Sequence, residues 1–132
     1  MLERRLAPDA GPENSMSLHQ LAEARSLAFH RIVAERILRD PDRLDAVRER
    51  LDAWIAEGGR AAVYAREWRR LVDFPPAELA AILIDEGERA TELRQSTPFS
   101  GFLDPRERWK LWAEVRERYE RESSDGAGSD RP

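Results

Sequence analysis

The sequence predicts an all-α protein, a compact bundle of five to six helices between disordered termini. Three observations predict it. Apolar residues recur at spacings of three and four along most of the chain. The punctuation consists of helix signals, with Asp-Pro at residues 40–41 and 104–105 and Gly-Gly at 58–59. No alternating apolar–polar run long enough for a strand occurs.

Residues 1–16 contain Pro8, Gly11 and Pro12 and few large apolar groups, and read as a disordered leader, with Met16 a candidate start. Ser17 with Gln20 three residues on makes a capping box, so the first helix is expected from Ser17 to about Arg39. Leu18, Leu21, Ala22, Ala28, Phe29, Ile32 and Val33 share one stripe; Leu27, Ala34 and Leu38 share another. A helix apolar on two sides is central in a bundle. Asp40 as cap and Pro41 at the first position start a second helix, with Leu44, Val47, Leu51, Trp54 and Ile55 inward and Gly58-Gly59 as its stop. The third helix covers about Arg60–Val72, with Ala61, Tyr64, Ala65, Trp68, Leu71 and Val72 inward. Phe74-Pro75-Pro76 breaks the chain. Two short helices follow, separated near Asp85-Glu86-Gly87 and ending near Gln95. Asp104-Pro105 starts the last helix, which runs to about Arg121 with Trp109, Trp112, Val115 and Tyr119 as its apolar face. The single helical domain is therefore 17–121, and 122–132 is a flexible tail.

Composition narrows function by exclusion. At 132 residues, 41% of them hydrophobic, the chain supports one modest core. Cysteine is absent, which removes disulfides, thiolate catalysis and cysteine zinc sites and suits the cytoplasm. A net charge of −4 gives no global attraction to nucleic acid or anionic membrane. Arginine carries the basic charge almost alone, Lys110 being the one lysine. No apolar run reaches the length of a membrane span. His19 and His30 lie about 16 Å apart along one helix, too far to share a metal, and read as surface or rim histidines. No metal-ligand spacing and no glycine-rich phosphate loop is present, so no cofactor is expected.

Four constellations remain. Arg25 sits among Leu18, Leu21, Phe29 and Ile32, where a guanidinium needs a carboxylate, a snorkelling route to solvent, or an anion or partner in a groove. The segment 97–103 mixes small, polar and aromatic residues without helical periodicity. Phe99 and Phe102 either pin the last helix to the core, or join Arg94, Gln95 and Ser96 in a partner-binding surface. Residues 78–96 have the length of a helix-turn-helix, but the net charge of −4 over 76–93 repels phosphate. Arg60, Arg66, Arg69 and Arg70 on the third helix are the alternative nucleic-acid-binding residues, or else they pair with the acidic helix beside them.

Leu93-Arg94-Gln95-Ser96-Thr97-Pro98-Phe99-Ser100-Gly101, Arg106-Glu107-Arg108-Trp109 and Leu27-Ala28-Phe29-His30-Arg31 resemble segments of small bacterial helical proteins of antitoxin-like type, and the likeness spans about residues 17–120. This resemblance implies neutralisation of a toxin encoded nearby by binding, without catalysis, and supplies no functional residues. The Arg25–His30 spacing resembles the motif of the HEPN ribonucleases. That likeness implies acid–base work by His30 and phosphate stabilisation by Arg25. The expectation is a non-enzymatic protein-binding module, with a DNA-binding regulator and a HEPN-like ribonuclease as alternatives.

Overall fold

The structure is a computed structural model. It describes residues 18–122 in full, and the helical assignments of the first and last helices run outward to Glu3 and Ser129. The leader expected over 1–16, the cap at Ser17 and the tail beyond Glu122 lie outside the fully described residues.

The architecture is all-α. In order come α1 (Glu3–Arg39), a 3-10 turn (Pro41–Arg43), α2 (Leu44–Glu57), α3 (Arg60–Leu71), α4 (Pro76–Leu83), α5 (Glu88–Arg94), a second 3-10 turn (Ser100–Phe102) and α6 (Pro105–Ser129). Among the described residues there is no strand. No helix among the described residues is long and apolar enough to cross a membrane. α1 lies against both α4 and α6, as its two apolar sides require, while α2 and α3 form an antiparallel hairpin. The hairpin turns on Gly58 (φ 76°) and Gly59 (φ 78°). A Cβ at either position would meet open space, so the requirement for glycine is in the backbone and not in packing.

The core takes Phe29, Val33 and Ile37 from α1, Leu44, Val47 and Leu51 from α2, Trp68 and Leu71 from α3, and Leu79 and Leu83 from α4. Phe99, Phe102 and Leu103 come from the irregular segment between α5 and α6 and are as deeply buried as any helical residue. Phe99 meets Trp68 edge-on at 5.3 Å and Phe102 at 5.7 Å. The Trp68 indole N–H donates to the Leu93 carbonyl at 3.1 Å, which resolves the one polar atom of that ring and ties α3 to the end of α5.

Several inward assignments are corrected. On α3 it is Ala62, not Ala61, that is buried beside the expected Ala65. Leu18 and Leu38 project beyond the neighbours of α1 and stay exposed. Trp109 is 77% exposed, although α6 meets α1 on either side of it, at Glu107 with Arg36 and at Trp112 with Phe29.

The two Asp-Pro starts also differ. Asp104 forms a full capping box: the Glu107 N–H donates to its carboxylate at 2.8 Å, and its own N–H donates to Glu107 Oε1 at 3.0 Å. Glu107 additionally accepts from Arg36 of α1 at 2.7 Å, and Arg36 donates to the Phe102 carbonyl. Arg36 holds the Glu107 carboxyl well below its usual pKa. Asp40 makes no side-chain cap bond; Pro41 alone starts the 3-10 turn by its fixed φ. Asp104→Ala is therefore expected to cost about 1 kcal/mol in urea unfolding and Asp40→Ala a few tenths of that at most. Equal losses at the two sites would show that the box contributes nothing.

Candidate functional site: a basic cleft between α1 and α6

The surface expected from Arg94, Gln95, Ser96, Phe99 and Phe102 does not exist as a surface. Phe99 and Phe102 are core, Ser96 is half-buried, and Gln95 is the one fully exposed member. Arg94 is buried, and its Nη1 donates to the Leu83 carbonyl at 3.1 Å and the Asp85 carbonyl at 2.6 Å, while Nη2 donates to Thr91. It therefore caps the C-terminus of α4 with a guanidinium, in the place where the helix leaves carbonyls without partners. Burial pushes its pKa down, but a guanidinium stays charged. The Phe99 and Phe102 rings are buried because the segment crosses the open end of the bundle, which no helix closes.

His30 is also corrected: it is 1% exposed, not a rim residue. Its Nδ1 lies 2.7 Å from the Ser26 carbonyl, which only accepts, so Nδ1 carries the proton. Nε2 then accepts from the Thr97 hydroxyl at 2.8 Å. Thr97 in turn accepts from the Phe99 N–H at 3.2 Å. This relay fastens the α5–α6 segment to α1. Desolvation, opposed by the Ser26 bond and reinforced by the Arg94 charge, lowers the His30 pKa from 6.5 to about 4. The imidazole is neutral at pH 7 with both nitrogens engaged, which does not suit the acid–base role implied by the Arg25–His30 spacing.

The structure does place Arg25 and His30 on one cavity. It measures about 380 Å³ and lies between α1 and α6, with Arg94, Thr97, Arg108 and Trp112 completing most of its wall. A second depression of about 530 Å³ continues it along α6, sharing Arg25 and Trp112 and adding Trp109 and Arg116. The Arg25 guanidinium lies 6.0 Å from the Trp112 ring centre. Its Nε is buried and without a hydrogen-bond partner.

The charge state of the other arginines makes this cleft distinctive. Arg31, Arg36, Arg48, Arg69, Arg70, Arg89 and Arg121 each pair with a carboxylate. Within the nucleic-acid set, Arg69 bridges Asp52 and Asp73, and Arg70 pairs with Glu67, so half of that patch is already neutralised. The partners come chiefly from α2 and α3 themselves, not from the acidic α4–α5 side. A smaller cavity of about 210 Å³ near Phe102 holds Arg43 and Arg50, but these donate to the Gly101, Phe102 and Pro98 carbonyls and to Ser100. By contrast, the Arg25 and Arg108 guanidinium groups make no ion pair or hydrogen bond with any described residue. Sequence reasoning flagged Arg25 but passed over Arg108. Its one signal was the spacing of four to Trp112, which puts both on one helix face.

Neither protein-family models, nor curated proteins, nor solved structures give a match to this chain.

Phe99→Ala is expected to cost about 4 kcal/mol in chemical denaturation, because it empties a site that nothing can collapse into. A loss below about 1 kcal/mol would show that the segment is loosely held. His30 sets a pH dependence. Its folded pKa is depressed, so the unfolded chain binds the extra proton between pH 6.5 and about 4. Stability is complete above pH 6.5 and falls as the pH drops through that window, by on the order of 3 kcal/mol. Urea midpoints of the wild type should show this slope and those of His30→Gln should not; parallel slopes would mean that His30 titrates normally.

Proposed function

We propose that the protein is a non-catalytic binding module that engages a partner protein through the α1–α6 cleft. The observation that carries this reading is Trp109, 77% exposed beside half-buried Trp112 and flanked by unpaired Arg25, Arg108 and Arg116. Tryptophan and arginine are the residue types that dominate interface energetics, and here they line a concave strip. Guanidinium groups that meet no described carboxylate, with Arg25 over the Trp112 ring, favour a partner that brings acidic groups. Phe99 and Phe102 have no part in it, since they are core; Arg94 closes the end of α4 and also lines the inner wall of the cleft.

The most concrete version is an antitoxin-like partner in a bacterial two-gene module, acting in the cytoplasm, with the neighbouring gene's product as the first protein to test. The cleft would then occlude a toxin surface, with no chemistry of its own.

The test is affinity capture from the native host with the wild type, Trp109→Ala/Arg116→Glu, and the distant control Arg66→Glu. A stoichiometric protein is expected with the wild type and the control, and at least tenfold less with the cleft variant. A partner retained equally by all three, or no protein partner at all, would overturn the reading.

A further inference from the structure

We propose that the inner cavity of the cleft is a binding site for the phosphate group of an aromatic phosphate monoester. The inference rests on the binding function above and deepens it by naming the chemical group that the cleft accepts; it uses the inner wall, which shares Arg25, Arg108 and Trp112 with the outer strip but not Trp109 or Arg116.

Three arginines, Arg25, Arg94 and Arg108, line one cavity of about 380 Å³, and the Arg94 guanidinium nitrogens are already engaged at the end of α4. No carboxylate lines it. The nearest acidic influence on Arg94 comes from Glu23, which opens into a neighbouring depression, and from Asp85 and Glu86. His30 faces the cavity as a neutral ring, so it adds no charge and removes none. Three positive charges in a partly enclosed space, without a counter-ion among the described residues, repel one another and draw in an anion. The buried Arg25 Nε is a donor already desolvated and still without a partner. That nitrogen is closed to the cavity, so an oxyanion would be met by the terminal Arg25 nitrogens, which no described residue engages.

The wall chemistry selects phosphate over carboxylate. Ser26 and Ser100 add hydroxyls to the guanidinium donors. Ser100 accepts from Arg50 at 2.9 Å and so keeps its own proton to donate. Thr97 has spent its proton on His30. This many donors exceeds what two carboxylate oxygens can accept, but matches three phosphate oxygens carrying up to two charges. The rest of the wall is aromatic. Phe29 and Trp112 stand 6.4 Å apart, tilted at 55°, and leave an apolar side to the cavity that suits a ring attached to the phosphate. The volume lies in the range of small-molecule sites.

Phenyl phosphate is the probe, titrated at constant ionic strength and followed by tryptophan fluorescence and by the unfolding temperature. The wild type is expected to show saturable quenching, lost in Trp112→Phe, and a raised unfolding temperature. Arg25→Gln and Arg108→Gln should each weaken binding about tenfold, the loss of one charge-assisted contact. Neither side chain makes an ion pair or hydrogen bond with a described residue, so both variants should keep the wild-type circular dichroism; Arg66→Gln should bind as the wild type does. A capped Gly-phosphotyrosine-Gly peptide separates the sources: tighter binding than phenyl phosphate assigns the group to a modified partner protein, and weaker binding assigns it to a small molecule. No signal up to about 10 mM phenyl phosphate, equal binding by the double variant Arg25→Gln/Arg108→Gln, or equal binding of benzoate would each overturn the proposal. Partner capture that depends on Trp109 and Arg116 would survive that failure, so the two readings fail separately.

Discussion

The fold depends on how the segment between α5 and α6 is held. Phe99 has no exposed surface and touches Trp68, Phe102 and His30 through their ring edges. One residue without regular secondary structure thereby joins α1, α3 and the 3-10 turn that precedes α6. The His30–Thr97 bond adds direction to what burial alone leaves free. A hydrophobic contact is indifferent to small rotations, whereas a hydrogen bond from a buried imidazole fixes the segment's register against α1. Both His30 nitrogens must be satisfied for this to be favourable, and both are.

From that anchor the position of α6 follows. Leu103 is buried, Asp104 caps, and Arg36 of α1 reaches Glu107 in the first turn. α6 is thus clamped at its start and lies along α1, and the cleft is the space left between them beyond the clamp. Arg94 contributes to the same construction from the other side. It closes the end of α4 through carbonyl contacts and still presents its charge to the cleft wall. Structure and recognition therefore share one residue, which is why a substitution at Arg94 cannot separate them.

The distribution of charge separates the cleft from the rest of the surface. Most ion pairs elsewhere are exposed and individually weak, and they act by neutralising arginines that would otherwise form a general basic patch. Asp73 alone takes up Arg48 and Arg69, and these two charges hold its carboxyl below the usual range. Arg25 and Arg108, which pair with no described carboxylate, lie together on the cleft between α1 and α6; other arginines without an ion pair to a described residue, such as Arg60 and Arg66, stand on the outer surface of α3. A net-acidic chain can therefore hold a strongly positive local site, and net charge says little about what that site attracts.

The sequence by itself determined the helices, their order and their ends. Pro41, Gly58-Gly59, Pro76 and Asp104-Pro105 act through local backbone geometry, which needs no distant partner, and the spacing of Leu44, Val47 and Leu51 names a buried face within one element. Arg25 was legible as an anomaly for the same reason, since its neighbours on the stripe are visible in one dimension. The tertiary structure alone decided which polar residues go inside. His30 is buried because Thr97, 67 residues away, supplies its second hydrogen bond, and Arg94 because the end of α4 supplies carbonyls. Phe99 and Trp109 are both aromatic and lie ten residues apart. One is core and the other surface, because His30, Trp68 and Phe102 from distant parts of the chain enclose the first and no such set encloses the second. Burial is a property of what comes to lie alongside a residue, and for long-range neighbours no local pattern records it.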